Sequence, residues 1–143
     1  MKIAVASDHG GFALKEGIKK YLTACDIEVI DLGTDSEESV DYPDFGKACG
    51  EAVTSKKADA GIACCGTGIG ISIAANKIKG IRCALCTDTN MAELAKKHNN
   101  ANMLALGGRT TDEAKAIEII RAWLAAEFEG GRHKRRTDKL DDM

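Results

Sequence analysis

Residues 58–72 read ADAGIACCGTGIGIS. An apolar run without helical period (58–65) meets three glycines in five residues, Gly66, Gly68 and Gly70, and an apolar helical pattern begins behind them. A strand that passes through glycines into a helix is the repeating unit of a parallel α/β sheet. The spacing predicts a strand over 58–65 and a helix over about 70–78. The loop between them leaves backbone N–H groups at a helix N-terminus, where the dipole favours an anion. Three glycines exceed what a tight turn needs, so the loop reads as one that lets a ligand approach the backbone. GxGxxG does not occur, the loop follows the third strand rather than the first, and no GK[ST] follows. It is therefore neither a dinucleotide fingerprint nor a Walker loop.

The same alternation extends in both directions. KIAVAS (2–7) reads as a strand and residues 12–24 as a helix, with Leu14, Ile18, Tyr21 and Leu22 at helical spacing. IEVIDLG (27–33) is a second strand. A polar loop with the only proline, Pro43, leads to a helix marked by Phe45, Ala48, Cys49, Ala52 and Val53. GIRCALCTD (80–88) is a fourth strand, followed by a helix over 89–98 with Met91, Leu94 and Ala95 on one face. NMLALGG (102–108) is a fifth. Thr110 or Thr111 is expected to cap a long helix through Glu127, with Glu113 or Glu118 to solvent and Ile117, Ile120 and Leu124 facing in. Strands 1, 3 and 4 lack polar alternation, as expected for strands buried on both faces. The expectation is one domain over 1–143, a five-stranded parallel sheet between helical layers, with the tail from about 128 as an arm. Ligands of such sheets sit beyond the C-terminal strand ends, which singles out SDHGG, CGTGIG, TDTN and GGRT.

Bulk properties narrow the function. The 143 residues are 44% hydrophobic and 29% charged, enough for one domain with a core, and only 4% aromatic. A net charge of −2 argues against a nucleic-acid partner. No apolar run approaches the ~18 residues of a membrane helix, and MKIAVASDHGG is too short in its apolar part for a signal peptide. The reading is a cytoplasmic protein whose six scattered cysteines are thiols.

Individual residues follow. Cys64 and Cys65 are neighbours at a strand end and point to opposite sides. Cys65 touches the glycine loop, and a thiol at a helix N-terminus is activated as a base or nucleophile. Cys64 reads as a small core hydrophobe. Cys83 and Cys86 form a C-x-x-C inside a strand, where positions three apart face opposite ways, so core packing is expected rather than redox chemistry. No Cys or His pair has zinc spacing, and no metal is expected. His9 follows strand 1 beside Asp8, and His98 ends the fourth helix; both fall at element ends that can border one cleft. Arg132 and Arg136 share a face if the tail is helical, and two guanidiniums suit a phosphate.

SDHGGFALK (7–15), DYPDF (41–45), CGTGIGISIAANK (65–77), HNNANMLALGGR (98–109) and EGGRH (129–133) together resemble the ribose-5-phosphate isomerase B family, which also includes galactose-6-phosphate isomerase subunits. The resemblance spans about residues 2–136. It implies a Rossmann-like three-layer α/β/α sandwich and interconversion of ribose 5-phosphate and ribulose 5-phosphate without metal or cofactor. By position, Cys65 matches the proton-transferring base, and Thr67 and His98 match residues that assist ring opening. Asp8, His9 and Tyr42 match substrate contacts, and Gly66, Gly68, Ile69 and Gly70 match a loop of backbone donors. Asn99, Arg109, Arg132 and Arg136 match substrate and phosphate contacts. The resemblance also implies a homodimer or dimer of dimers whose active site is shared between chains. Isomerisation of a 6-phosphorylated hexose (allose or galactose 6-phosphate) and a non-catalytic phosphate-binding module stand as alternatives.

Overall fold

The computed structural model describes residues 1–143. Its elements run β1 (Lys2–Ser7), α1 (Phe12–Ala24), β2 (Glu28–Asp31), α2 (Tyr42–Thr54), β3 (Ala60–Cys65), α3 (Ile69–Asn76), β4 (Cys83–Leu85), α4 (Thr89–Asn99), β5 (Met103–Gly107), α5 (Glu113–Ala125) and α6 (Arg132–Asp141). The five strands are all parallel in the order β2-β1-β3-β5-β4. The chain first winds outward from β1 to β2, then crosses back to β3. The switch point, where the loops after two adjacent strands diverge, therefore lies between β1 and β3.

Alternation along the strands divides the core into two. Ile3, Val5, Ile62, Cys64, Leu104 and Leu106 face one side and pack with residues of α1, α4 and α5, among them Leu14, Ile18, Ala95, Ile120 and Trp123. Ala4, Ala6, Ala63, Cys65, Met103 and Ala105 face the other side, against α2 and α3. The second face is mostly alanine, so its helices come close. A Cβ on Gly61 would stand 2.8 Å from Cys49 Sγ.

Several boundaries differ from expectation. β4 is three residues long, half-buried and at the sheet edge, not a long strand buried on both faces. Asn76 and Asn102 side chains shorten it: Asn76 bonds both the N–H and the C=O of Cys83, and Asn102 Oδ1 accepts from Arg82 N. The fully buried central strands are β3 and β5, with β1 buried from Ile3 onward. α2 begins at Tyr42, with Pro43 in its first turn, where a missing N–H is harmless. α5 is capped by Asp112, whose carboxylate accepts from Lys115 N at 2.8 Å, rather than by Thr110 or Thr111. α5 ends at Ala125. Ala116, Ile119, Ile120 and Trp123 are its fully buried residues, while Ile117 and Leu124 are half-buried. The tail after the connection 126–131 is a helix, α6, packed on α4.

Candidate active site

Three loops meet at the C-terminal edge of the sheet. Asp8 N donates to Cys64 O (3.2 Å), Gly108 N to Cys65 O (2.8 Å) and Arg109 N to Gly66 O (2.9 Å). The loops after β1, β3 and β5 are thus joined backbone to backbone. Glycine makes this possible: a Cβ on Gly10 would lie 3.0 Å from Gly66 N, and one on Gly108 2.4 Å from Gly10 O. Gly68, the N-cap of α3, has φ +80°, and a Cβ there would lie 2.6 Å from Leu85 Cδ1 and 2.9 Å from the Leu106 carbonyl carbon. Gly68→Ala combines left-handed strain of ~1–2 kcal/mol with overpacking of ~1–3 kcal/mol. We expect a denaturant midpoint lowered by an amount equivalent to roughly 2–5 kcal/mol, with an unchanged m-value.

The two adjacent thiols point to opposite faces of the sheet. Cys64 is sealed beneath the loop after β1, so close that a Cβ on Gly11 would lie 2.6 Å from its own Cβ. Burial, with the neighbouring thiols Cys49 and Cys65, pushes the Cys64 thiol far up. Burial likewise raises Cys83 and takes Cys49 to about 12 and Cys86 to about 11. Cys83 and Cys86 pack on opposite sides of the sheet and form no redox pair. Cys65 differs from the rest in its contacts: its Sγ accepts the N–H of Gly68 at 3.1 Å. That donor is aimed where the charge of a thiolate resides.

Around Cys65 lies a cradle of donors. Gly68 N–H is turned onto the thiol, and Ile69 N–H onto Thr67 Oγ1 at 3.2 Å. The N–H groups of Gly66, Thr67, Gly70 and Ile71 bond to nothing within the chain. Of the expected loop donors, Gly66 and Gly70 have free N–H groups in this chain, while those of Gly68 and Ile69 are engaged locally. The Tyr42 ring lies on Gly70, where a Cβ would come within 2.6 Å of it. Arg109 Nη1 lies against Gly66, 3.1 Å from where its Cβ would stand, and the Arg109 side chain is exposed. His9 Nδ1 accepts from Val40 N at 3.2 Å, which leaves its Nε2 to carry the ring proton. Asp8 is buried, and its Oδ1 caps the turn by accepting from Gly11 N at 3.1 Å.

The remaining candidates are elsewhere. α4 runs antiparallel to the strands, so its last residues, His98 and Asn99, lie at the N-terminal edge of the sheet. The four residue steps of β5 alone separate the two edges by roughly 13 Å. Within one chain, His98 does not border the Cys65 cleft, so a cleft holding both needs a second copy of the chain. Arg132 and Arg136, both exposed, join His98 and Asn99 there through α6. Arg82 fastens that assembly. Its Nε and Nη2 donate to the Asn99 and Asn100 carbonyls, and Nη1 pairs with Asp141 at 2.7 Å.

Sequence reasoning passed over His133 and Glu129 here. The His98 and His133 rings stack with centroids 4.2 Å apart and planes 6° apart, and Glu129 Oε1 lies near both Nε2 atoms. The signal available was their spacing of four beside Arg132. These three residues bring ligand-type atoms within 4.8 Å of one another, a juxtaposition that sequence spacing did not indicate. Parallel ring planes do not let both nitrogen lone pairs converge on one ion, so the rings as they stand do not fit a shared metal.

An α/β sheet with a thiol and a donor cradle at its switch point is arranged to take a small anionic ligand. The chain matches the family model described as Ribose/Galactose Isomerase over residues 3–140 and belongs to that family. Ribose-5-phosphate isomerase B of Escherichia coli (strain K12) is 46% identical over 139 residues, 97% of this chain and 93% of that protein. The solved ribose-5-phosphate isomerase B of Clostridium thermocellum superposes with TM-score 0.98 at 54% identity, covering 99% of this chain and 96% of that one. Ribose-5-phosphate isomerase B from Mycoplasma genitalium, solved with bound ribulose-5-phosphate, superposes with TM-score 0.94 at 42% identity, covering 99% and 94%. The five-stranded parallel sheet matches the α/β expectation, and no helix is long and apolar enough to cross a membrane.

Proposed function

We propose that this protein interconverts D-ribose 5-phosphate and D-ribulose 5-phosphate, at a site completed by a second copy of the chain. The observation that carries the reading is Cys65 Sγ, held by Gly68 N–H at the foot of a cradle of free N–H groups. The relative holding ribulose-5-phosphate supports the substrate class.

The chemistry follows from the atoms present. Cys65, as thiolate, takes the proton from C2 of the open-chain aldose. The electron pair becomes the C1=C2 bond, and charge moves to O1, where Gly66 and Gly70 N–H groups meet it; one such donor is typically worth about 3 kcal/mol. The thiol returns the proton to C1, and the O2 proton passes to O1, leaving the ketone. The closed furanose must open first: His98 protonates the ring oxygen as the C1–O4 bond breaks, and the O1–H proton leaves to water at the cleft mouth beside Thr67 as O1 becomes the aldehyde oxygen. Phosphate binds Arg132 and Arg136 and fixes the non-reacting end. No metal or cofactor takes part in this scheme.

Sharing of the site between copies is supported by α3. Its sequence IGISIAAN carries no charge, yet Ile69 and Ile73 are 52% and 55% exposed directly behind the glycine loop. A second copy covering this face places its own surface beside Cys65. In the shared site proposed here, the His98–Arg132–Arg136 edge of one protomer meets the cradle of the other.

The test is ketose formation from ribose 5-phosphate, with kcat/KM compared against allose and galactose 6-phosphates. A large preference for the pentose is expected. Preference for a hexose phosphate would move the assignment within the family, and absence of turnover on all three would leave a binding module. Arg136→Ala, losing a charge-assisted contact worth ~1.5–3 kcal/mol, should raise KM for ribose 5-phosphate roughly 10- to 100-fold with kcat little changed. An equal loss of kcat would mean the arginine supports structure.

A further inference from the structure

The stacked pair His98 and His133 is unequal. The His98 side chain is 39% exposed, and that of His133, in the first turn of α6, is 8% exposed with a buried Nε2 that makes no hydrogen bond. Glu129 lies on the connection 126–131, and its own N–H donates to Lys97 O at 3.0 Å. The connection is thereby fastened to the last turn of α4. Glu129 Oε1 sits 3.7 Å from His98 Nε2 and 3.4 Å from His133 Nε2. Other charges around the pair are Arg132 and Arg136 on α6 and the Lys97–Glu93 ion pair on α4.

Two imidazoles stacked at this distance disfavour a doubly cationic pair, because like charges repel. Burial, then His98 and Arg132, pull His133 below the ordinary histidine range. His133 therefore sits as a neutral, buried slab under the solvent-facing His98 ring. A carboxylate beside Nε2 favours the proton on that nitrogen and turns Nδ1 outward, in the manner of carboxylate–histidine pairs generally.

We propose that Glu129 and His133 are positioning residues for His98. The His133 ring fixes its plane, and the Glu129 carboxylate sets which nitrogen is presented to the sugar. This rests on the reading of His98 as the ring-opening acid.

The experiment uses two substrates. Ribose 5-phosphate is closed for most of its time, whereas 4-deoxyribose 5-phosphate lacks the hydroxyl that closes the furanose and stays open. Glu129→Gln is expected to lower kcat/KM on ribose 5-phosphate by about tenfold, within the range of general acid–base effects, and on the 4-deoxy sugar by less than twofold. Glu129→Asp should recover part of the loss. His133→Ala should show the same split, with the thermal melt reporting its fold; Glu129 is half-exposed, so its variant carries the test if His133→Ala unfolds. Equal losses on both sugars, or no loss on either, would overturn the proposal. His98→Asn is the control for the underlying reading. It should spare the 4-deoxy sugar; if it abolishes both reactions alike, His98 does not act in ring opening.

Discussion

Cys65→Ala is expected to lower kcat for ribose 5-phosphate on the order of 10³-fold, with KM changed only modestly. The thiolate moves the proton between C2 and C1, and a positioned base contributes ~10²–10⁴ in rate. Phosphate affinity comes from arginines at the other edge of the protomer, so ground-state binding is left intact and the loss falls on the transition state. Cys64→Ala is the paired control. Its thiol is sealed under Gly11 and pushed up by burial, so it is no base at neutral pH. Its loss leaves a small cavity, costing at most a few kcal/mol of stability, with most of the turnover retained. Wild-type turnover in Cys65→Ala together with a dead Cys64→Ala would reverse the assignment. Full activity in both would place the base on a carboxylate.

Ile73→Glu should produce a folded monomer with almost no isomerase activity. Ile73 is 55% exposed in the single chain, so glutamate costs the monomer little. In a two-fold dimer the same face is buried against itself, and two carboxylates are then desolvated together without partners, at several kcal/mol. The monomer keeps Cys65 and the glycine cradle but has no His98 or Arg136 within reach of them. Sedimentation and a ribose 5-phosphate assay check both parts. A fully active monomer would show that one chain holds a complete site.

What could be read from the residues, and what could not, follows the range of the interactions involved. The β3–glycine–α3 unit is contiguous, and its apolar run, its glycines and its thiol are visible together. So are the parallel sheet and the opposite orientations of Cys64 and Cys65, because strand alternation is local. The length of β4 was hidden because Asn76 and Asn102, distant in sequence, take the backbone groups of residues 82 and 83. At the start of α5, three capping-type residues stand in a row, Thr110, Thr111 and Asp112, and geometry chose the carboxylate. The position of His98 at the far edge follows from helices running antiparallel to parallel strands, whereas which copy's cleft it faces depends on contacts between chains. The redirection of Gly68 N–H onto sulfur depends on a left-handed backbone that residue type permits but does not dictate.

The measurement that bears most directly on a shared isomerase site is the activity of a heterodimer with one Cys65→Ala protomer and one His98→Asn protomer, co-expressed with different tags and purified. Each parent homodimer lacks one essential group in both of its sites and should be nearly inactive on ribose 5-phosphate. In the heterodimer, intact Cys65 and intact His98 come from different chains and meet in one of the two sites, so about half of wild-type turnover is expected. An inactive heterodimer would contradict the account, because it would mean that the thiol and the imidazole serve the reaction within a single chain.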